Sequence, residues 1–235
     1  YAYNKVLLSD PFVQKNSRET YLGQIGWNFA PQSKEFFPFK KIIKSKSKWL
    51  DLIRDFNFNL MPATMSFNTD LNRDYQIIQL RALGGSDYNI PATYNKSFRW
   101  SRVYGFKYSP FKSLSFDYGA TNLSRIDEPD GAIDSKEKKN VIWNNFKQGG
   151  RNTNFSQNMS INYTLPLNKI PLFDFVTANV GYSTTYGWVA SSLVRDSATG
   201  NLVANPLGNI INNSQNDRGK VDLNSIPIPD TVKNV

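Results

Sequence analysis

Two residue types that support much of protein chemistry are missing from this sequence. None of its 235 residues is cysteine or histidine. Disulfide bonds, thiolate metal sites and cysteine nucleophiles are therefore excluded within this chain. Without histidine, the chain also lacks the usual general base and the commonest transition-metal ligand, so it cannot form a Ser-His-Asp hydrolase centre by itself.

Long apolar runs are also missing. No stretch approaches the roughly 18 uninterrupted apolar residues that indicate a transmembrane helix, and the mean hydropathy is −0.49. Aromatic residues are nevertheless abundant, with 16 Phe, 12 Tyr and 5 Trp. Any crossing of a membrane must therefore use β-strands, which need only one apolar face.

The clearest regular pattern lies in residues 154–167, NFSQNMSINYTLPL. Asn, Ser and Thr occupy every second position from 154 to 164, and mostly apolar residues lie between them. Because successive side chains of a strand point to opposite faces, this period of two predicts a strand with one wet and one apolar face. The pattern recurs at residues 98–109, 113–121 and 173–188.

The lengths of these strands favour a membrane barrel over a soluble sandwich. The alternating runs reach 9 to 16 residues, whereas soluble strands average about five or six and a tilted transmembrane strand needs about 9–11. Aromatic side chains near the strand ends, such as Trp100 and Tyr108, are typical of the boundary between water and lipid. We count about eight strands if residues 56–82 form one strand, and about nine if they form two.

Arg102 is the exception on the aromatic side of residues 98–109. An arginine that faces lipid at mid-bilayer costs about 2–4 kcal/mol. We therefore expect Arg102 to lie near lipid headgroups, to face a partner, or to mark an error in the assumed register.

The connections predict an asymmetric molecule. Proline-containing turns near residues 110–112 and 166–169 are short, whereas the polar stretches 81–96, 125–152 and 194–208 are long. Short turns at one end and long loops at the other are typical of outer-membrane barrels. The lysine-rich residues 34–56 interrupt the pattern, and we interpret them as a solvated turn with one short helix in WLDLIRDF.

Candidate chemistry is scarce. The densest acids lie in the loop RIDEPDGAID, where carboxylate oxygens could hold calcium, but the EF-hand spacing is absent and a solvated loop is the favoured interpretation. No phosphate-binding or dinucleotide-binding motif is present. We predict no catalytic, cofactor-binding or metal site, and a protein that is not an enzyme. The acids of this loop are Asp127, Glu128, Asp130 and Asp134.

The formal net charge of +9 suggests anionic partners. Anionic lipid, lipopolysaccharide and nucleic acid all satisfy this charge. Nucleic-acid binding would require basic and aromatic clusters across several elements. We therefore favour membrane lipid and lipopolysaccharide, and predict no nucleic acid.

Two stretches resemble a known protein family. Residues 55–81 and 98–131 resemble the SprA/Sov family, the outer-membrane translocon of the type IX secretion system, and the similarity runs in order from about residue 1 to about residue 225. The residues that carry it include Phe56-Asn57-Phe58, Pro62, Ser66-Phe67, Asn72-Arg73, Tyr104, Lys112-Ser113-Leu114 and Ile126-Asp127-Glu128-Pro129.

This resemblance implies that the chain is a fragment of a much longer protein. Family members are single-chain barrels that carry folded cargo proteins across the outer membrane of Gram-negative bacteria and, in gliding bacteria, export surface adhesins. The implied partners are a PorV-like barrel over the lateral opening, a periplasmic plug protein and the secreted cargo. The family implies no cofactor.

The resulting prediction is an all-β fold that forms part of a very large transmembrane antiparallel β-barrel. Residues 1–226 are expected to form this segment, with periplasmic turns and long loops at the cell surface, and residues 227–235 form an unassigned tail. The missing initiator Met and secretory pattern agree with a mature or partial chain. A small closed outer-membrane barrel and a soluble β-sandwich binding module remain as alternatives.

The alternation assigns individual side chains to two environments. As a hypothesis, these residues line the lumen: Ser156, Asn158, Ser160, Asn162, Thr177, Asn179 and Ser183. The following residues are expected to face lipid or a neighbouring barrel: Phe106, Tyr108, Phe155, Ile161, Tyr163, Val180 and Tyr182.

Overall fold

The computed structural model describes residues 1–32, 35–44, 47–82, 89–197 and 202–223. Within these ranges the chain is all-β, and eight strands form one antiparallel sheet in which each strand pairs with the next along the sequence. The strands are β1 (Ala2–Leu8), β2 (Val13–Phe29), β3 (Thr64–Leu80), β4 (Thr93–Phe111), β5 (Leu114–Arg125), β6 (Arg151–Leu165), β7 (Val176–Val189) and, after a separate hairpin of β8 (Leu193–Arg195) and β9 (Leu202–Ala204), β10 (Ile210–Leu223).

The connections define two ends of the sheet. The turn end carries the two-residue turn Lys112–Ser113 between β4 and β5, and the connection between β6 and β7. The loop end carries residues 126–150 and the β8–β9 hairpin. The expected asymmetry is therefore present at most connections, but the longest one, residues 30–63, lies at the turn end.

Two helices interrupt the strands. A 3₁₀ turn, Lys48–Leu50, leads into the short helix α1 (Asp51–Arg54), as expected for WLDLIRDF. Helix α2 (Lys136–Lys147) lies within the stretch predicted to be a loop. No helix in the described ranges combines the length and the apolar character that a membrane span needs.

Local chemistry explains where α2 begins and ends. The side chain of Ser135 accepts a hydrogen bond from the Lys138 backbone N–H, which satisfies one of the free donors of the first turn. Gly149 and Gly150 follow the helix with φ values of 86° and 70°. Residues with a side chain rarely adopt this left-handed backbone conformation, so the two glycines allow the chain to turn directly into β6.

The sheet encloses almost no hydrophobic core. Among the described residues the buried hydrophobic side chains are Ala120, Ile126 and Ala178. A globular chain of this size normally buries many large aliphatic and aromatic side chains. The described part of the molecule is a single layer, because no second sheet packs on either face of it.

Several boundaries differ from those predicted. β2 begins at Val13, not near residue 20, because pairing with both β1 and β3 extends a segment whose own sequence is charged on both sides. β3 begins at Thr64 and forms one strand, and the β8–β9 hairpin lies in a stretch predicted to be a loop. The predicted tail, 227–235, lies outside the described residues.

The register between β6 and β7 can be tested by disulfide formation. Ser160 lies directly opposite Ser183, and paired Cβ atoms on one face are about 4.5–5.5 Å apart. The double variant Ser160→Cys/Ser183→Cys should therefore form an intramolecular disulfide, detected as a mobility change on a non-reducing gel. The control Ser160→Cys/Thr184→Cys places the thiols on opposite faces and should not cross-link; a reversed result would contradict the register.

Candidate functional site

One face of the sheet carries the polar side chains and is called the polar face. The register places Ser160 opposite Ser183, and Asn158 opposite Thr185. The hydroxyl of Thr164 donates to the side-chain oxygen of Asn179 at 2.7 Å. The seven residues predicted to line a lumen all lie on this face, and none of them is buried.

Small residues keep the middle of the polar face shallow. Gly105 lies opposite Gly119, and Gly119 lies opposite Asn158. A Cβ atom on Gly119 would lie 2.7 Å from Oδ1 of Asn158, and a Cβ on Gly105 would collide with Oγ of Ser66. Neighbouring polar side chains therefore occupy the space above the two glycines.

Two ion pairs lie on the polar face. The guanidinium of Arg18 binds both carboxylate oxygens of Asp74, with an Nε–Oδ2 distance of 2.9 Å. The ammonium of Lys107 lies 3.3 Å from the carboxylate of Asp117. Because each of these charges has a neighbour of opposite sign, the four side chains add little net charge to the polar face.

The opposite face is called the aromatic face. One row across four strands consists of Tyr108, Phe116, Ile161 and Tyr182. The rings of Phe106 and Phe116 are 5.9 Å apart in an edge arrangement. The seven residues predicted to face lipid or a partner all lie on this face, and Val180 remains 52% exposed.

The apolar character of this face does not extend to the last strand of the sheet. On β10, Asn213, Gln215 and Asp217 lie on the aromatic face, opposite residues 182–186 of β7. Carboxylate and amide groups are costly in hydrocarbon. The apolar part of the aromatic face therefore extends across β2 to β7 and ends before β10.

The loop end of the aromatic face is covered by the chain itself. The ring of Trp100 on β4 stacks on Phe146 of α2, with centroids 5.0 Å apart. Arg73 on β3 binds Glu128 of the loop in a two-pronged pair, with Nε–Oε1 at 2.6 Å, and only 3% of the Glu128 side chain is exposed. Helix α2 and residues 126–134 are therefore fixed to the sheet.

Arg102 lies at the boundary between the open and the covered parts of the aromatic face. Its guanidinium donates to the hydroxyl of Ser124, to the carbonyl of Gly149 at 3.2 Å and to Oδ1 of Asn152 at 3.3 Å. It also lies over the ring of Trp100, 4.7 Å from the centroid. The register assumed for Arg102 is therefore correct. Arg102 faces the end of the 126–150 loop, where the chain returns to the sheet.

The acids of this loop form ion pairs. Asp127 binds Arg151, with an Nε–Oδ2 distance of 2.8 Å, and Asp134 lies 3.4 Å from Lys138. Within the described ranges, no group of three or more acidic side chains converges as a metal site would require. These contacts agree with a structural role for the loop acids.

Sequence analysis missed the docked helix, although two signals were available. Ser135 is followed by Glu137 in the first turn, which is typical of a helix start. Ile142 and Phe146 lie four residues apart and therefore share one face of the helix. The high content of charged residues in RIDEPDGAIDSKEKK concealed this short apolar face.

No protein-family model matches the sequence, and no curated protein matches it.

The contact between Arg102 and the loop predicts a local effect of mutation. Arg102→Leu removes two hydrogen bonds to the returning chain, at Gly149 and Asn152, and one to Ser124 of β5, and a lost charged hydrogen bond costs about 1.5–3 kcal/mol. The loop should therefore become more susceptible to trypsin at Lys136, Lys138 and Lys139, measured by mapping fragments from the folded protein. The matched control is Arg99→Leu, which lies on the polar face; equal cleavage of both variants would contradict the anchoring role.

Proposed function

We propose that this chain is a section of the wall of a large outer-membrane β-barrel, of the kind that conducts folded proteins in type IX secretion. The observation that carries the proposal is a one-layer sheet with a continuous polar face and an exposed aromatic face. The resemblance of residues 55–81 and 98–131 to the SprA/Sov family gives the specific class of translocon.

The energetics of the aromatic face support a lipid environment. Exposed side chains on this face include Ile25, Trp27, Tyr163 and Val180, with 68%, 50%, 38% and 52% of their surface accessible. Soluble proteins rarely expose contiguous apolar patches larger than a few hundred Å². Contact with lipid acyl chains would remove this surface from water across β2 to β7.

The edges of the sheet support a barrel with additional strands. Among the described residues, β1 and β10 each pair on one side only. Backbone groups on a free edge are costly in lipid, so a membrane sheet must close on itself or on other strands. An eight-stranded closed barrel would have an interior filled with side chains, whereas Ser, Asn, Thr and Gly on the polar face suit a wide, water-filled lumen.

The proposed mechanism is passive containment. A folded cargo protein passes along a surface of short polar side chains and paired charges, which offers few apolar contacts to retain it. The rigid sheet maintains the width of the pore, and the covered loop end limits the lipid-facing band on the outside. No catalytic step is assigned. A PorV-like barrel and a plug protein, as the family resemblance implies, would control lateral and periplasmic access.

The two alternatives receive less support from the geometry. A small closed barrel requires β1 to pair with β10, and among the described residues these two strands do not pair. A soluble sandwich requires a second layer over the aromatic face, and α2 covers only its loop end. No specific observation favours either alternative.

Photo-cross-linking in growing cells tests the proposal. A photoreactive amino acid placed at Asn158 or Asn179 should capture secreted proteins, because these positions face the proposed lumen. The same group at Ile161 or Val180 should capture lipid or a neighbouring membrane protein and no secreted cargo. Absence of secreted proteins from every adduct, or cargo captured equally at all four positions, would contradict the proposal. The mass of the uncross-linked band also reports whether the polypeptide greatly exceeds 26.8 kDa.

A further inference from the structure

Residues 35–44 and 47–60 lie at the turn end of the sheet. The ring of Phe56 lies 5.3 Å from Phe111 of β4 and 6.2 Å from Phe39. Phe36 and Phe58 exchange two backbone hydrogen bonds at 2.9 Å. The segment is thus held against the β4–β5 turn, and it contains α1.

A largely apolar cavity lies between this segment and the sheet. Its volume is about 660 Å³, and its walls come from α1, the β4–β5 turn and the start of the β6–β7 connection. The lining is dominated by Leu52, Phe56, Phe111, Leu114, Tyr163 and Pro166.

The cavity is continuous with the aromatic face. Leu114 and Tyr163 are paired across β5 and β6, and both lie on the aromatic face close to the turn end. A molecule that covers the aromatic face can therefore extend directly into the cavity.

Asn57 provides an unsatisfied donor in the cavity wall. Its side chain is 5% exposed, and its oxygen accepts a hydrogen bond from the Lys112 backbone N–H at 3.0 Å. Its Nδ2 has no hydrogen-bond partner among the described residues. Because a buried unpaired donor is costly, this group indicates a ligand with an acceptor oxygen.

The rim of the cavity carries ammonium groups. Nζ of Lys169 lies 2.8 Å from Asp55, and Nζ of Lys112 lies 2.7 Å from Glu35. The hydrogen bond from Lys169 holds the pKa of Asp55 below its usual range, so the Asp55 carboxyl is ionised at neutral pH. Further cations lie in the same segment and exceed its acids: Lys40, Lys41, Lys44 and Lys48.

We infer that the cavity binds one anionic glycerophospholipid. An acyl chain occupies the apolar volume, an ester carbonyl or phosphate oxygen accepts from Nδ2 of Asn57, and the phosphate lies among the rim lysines. The inference rests on the proposed function, because that function places the aromatic face against lipid. A peptide is a poorer occupant, since the lining offers few partners for its backbone groups.

Lipid retention by the native polypeptide tests this inference. The protein is extracted from outer membranes in mild detergent, exchanged into vesicles that contain phosphatidylglycerol, re-extracted, and its bound lipid is measured by mass spectrometry. Leu52→Trp fills the cavity, and Asn57→Asp keeps the acceptor for Lys112 while replacing the donor by a negative charge. Both should retain about tenfold less phosphatidylglycerol, which corresponds to ~1.4 kcal/mol.

The matched control is Leu60→Trp, in the same segment but outside the cavity and 77% exposed. It should retain as much lipid as the parent protein. Trypsin cleavage after Lys40, Lys41, Lys44 and Lys48 at the same rate as in the parent protein shows that a variant keeps the fold of the segment. Parental lipid retention in folded Leu52→Trp and Asn57→Asp would overturn the inference, as would a peptide found in the cavity by cross-linking.

Membrane extraction with alkaline carbonate separates this inference from the proposed function. If the polypeptide remains in the membrane pellet but both variants retain lipid normally, only the lipid site is wrong. If the polypeptide is released into the soluble fraction, the proposed function is wrong and the lipid site has no basis.

Discussion

The structure depends on one constraint. Because the sheet is one layer thick, each of its two faces needs a suitable environment. Three buried hydrophobic side chains in the described residues cannot stabilise eight long strands as a packed core would. Stability must therefore come from backbone pairing and from the surroundings. A polar face meeting water and an aromatic face meeting lipid satisfy the sheet without a second protein layer.

The same constraint explains where the aromatic face stops being apolar. Arg102 and Arg73 lie on the aromatic face, and both are bound by the 126–150 connection. These charges on the aromatic face therefore lie where the chain itself covers the sheet. At the other end of the sheet, Leu114 and Tyr163 line the cavity between the sheet and the segment that contains α1. The uncovered part of the aromatic face is therefore limited by the protein itself at both ends.

Strand alternation could be predicted from the sequence because it depends only on neighbouring residues. The seven polar and seven apolar side chains assigned from this period share their expected faces. Features that depend on distant contacts were not predictable. The pairing of Glu128 with Arg73, the docking of Phe146 on Trp100 and the start of β2 at Val13 all require tertiary neighbours. The proposal that the chain belongs to a translocon of this class depends on the family resemblance alone.

The account is tested most directly by spin-label accessibility along β6 in native outer membranes. Nitroxides placed singly at positions 158 to 163 report collisions with oxygen, which concentrates in lipid, and with a water-soluble nickel chelate. Oxygen collisions should be highest at 159, 161 and 163, and nickel collisions at 158, 160 and 162. Nickel access at all six positions, or no access of either reagent at 161 and 163, would contradict a sheet with one face in lipid and the other in water.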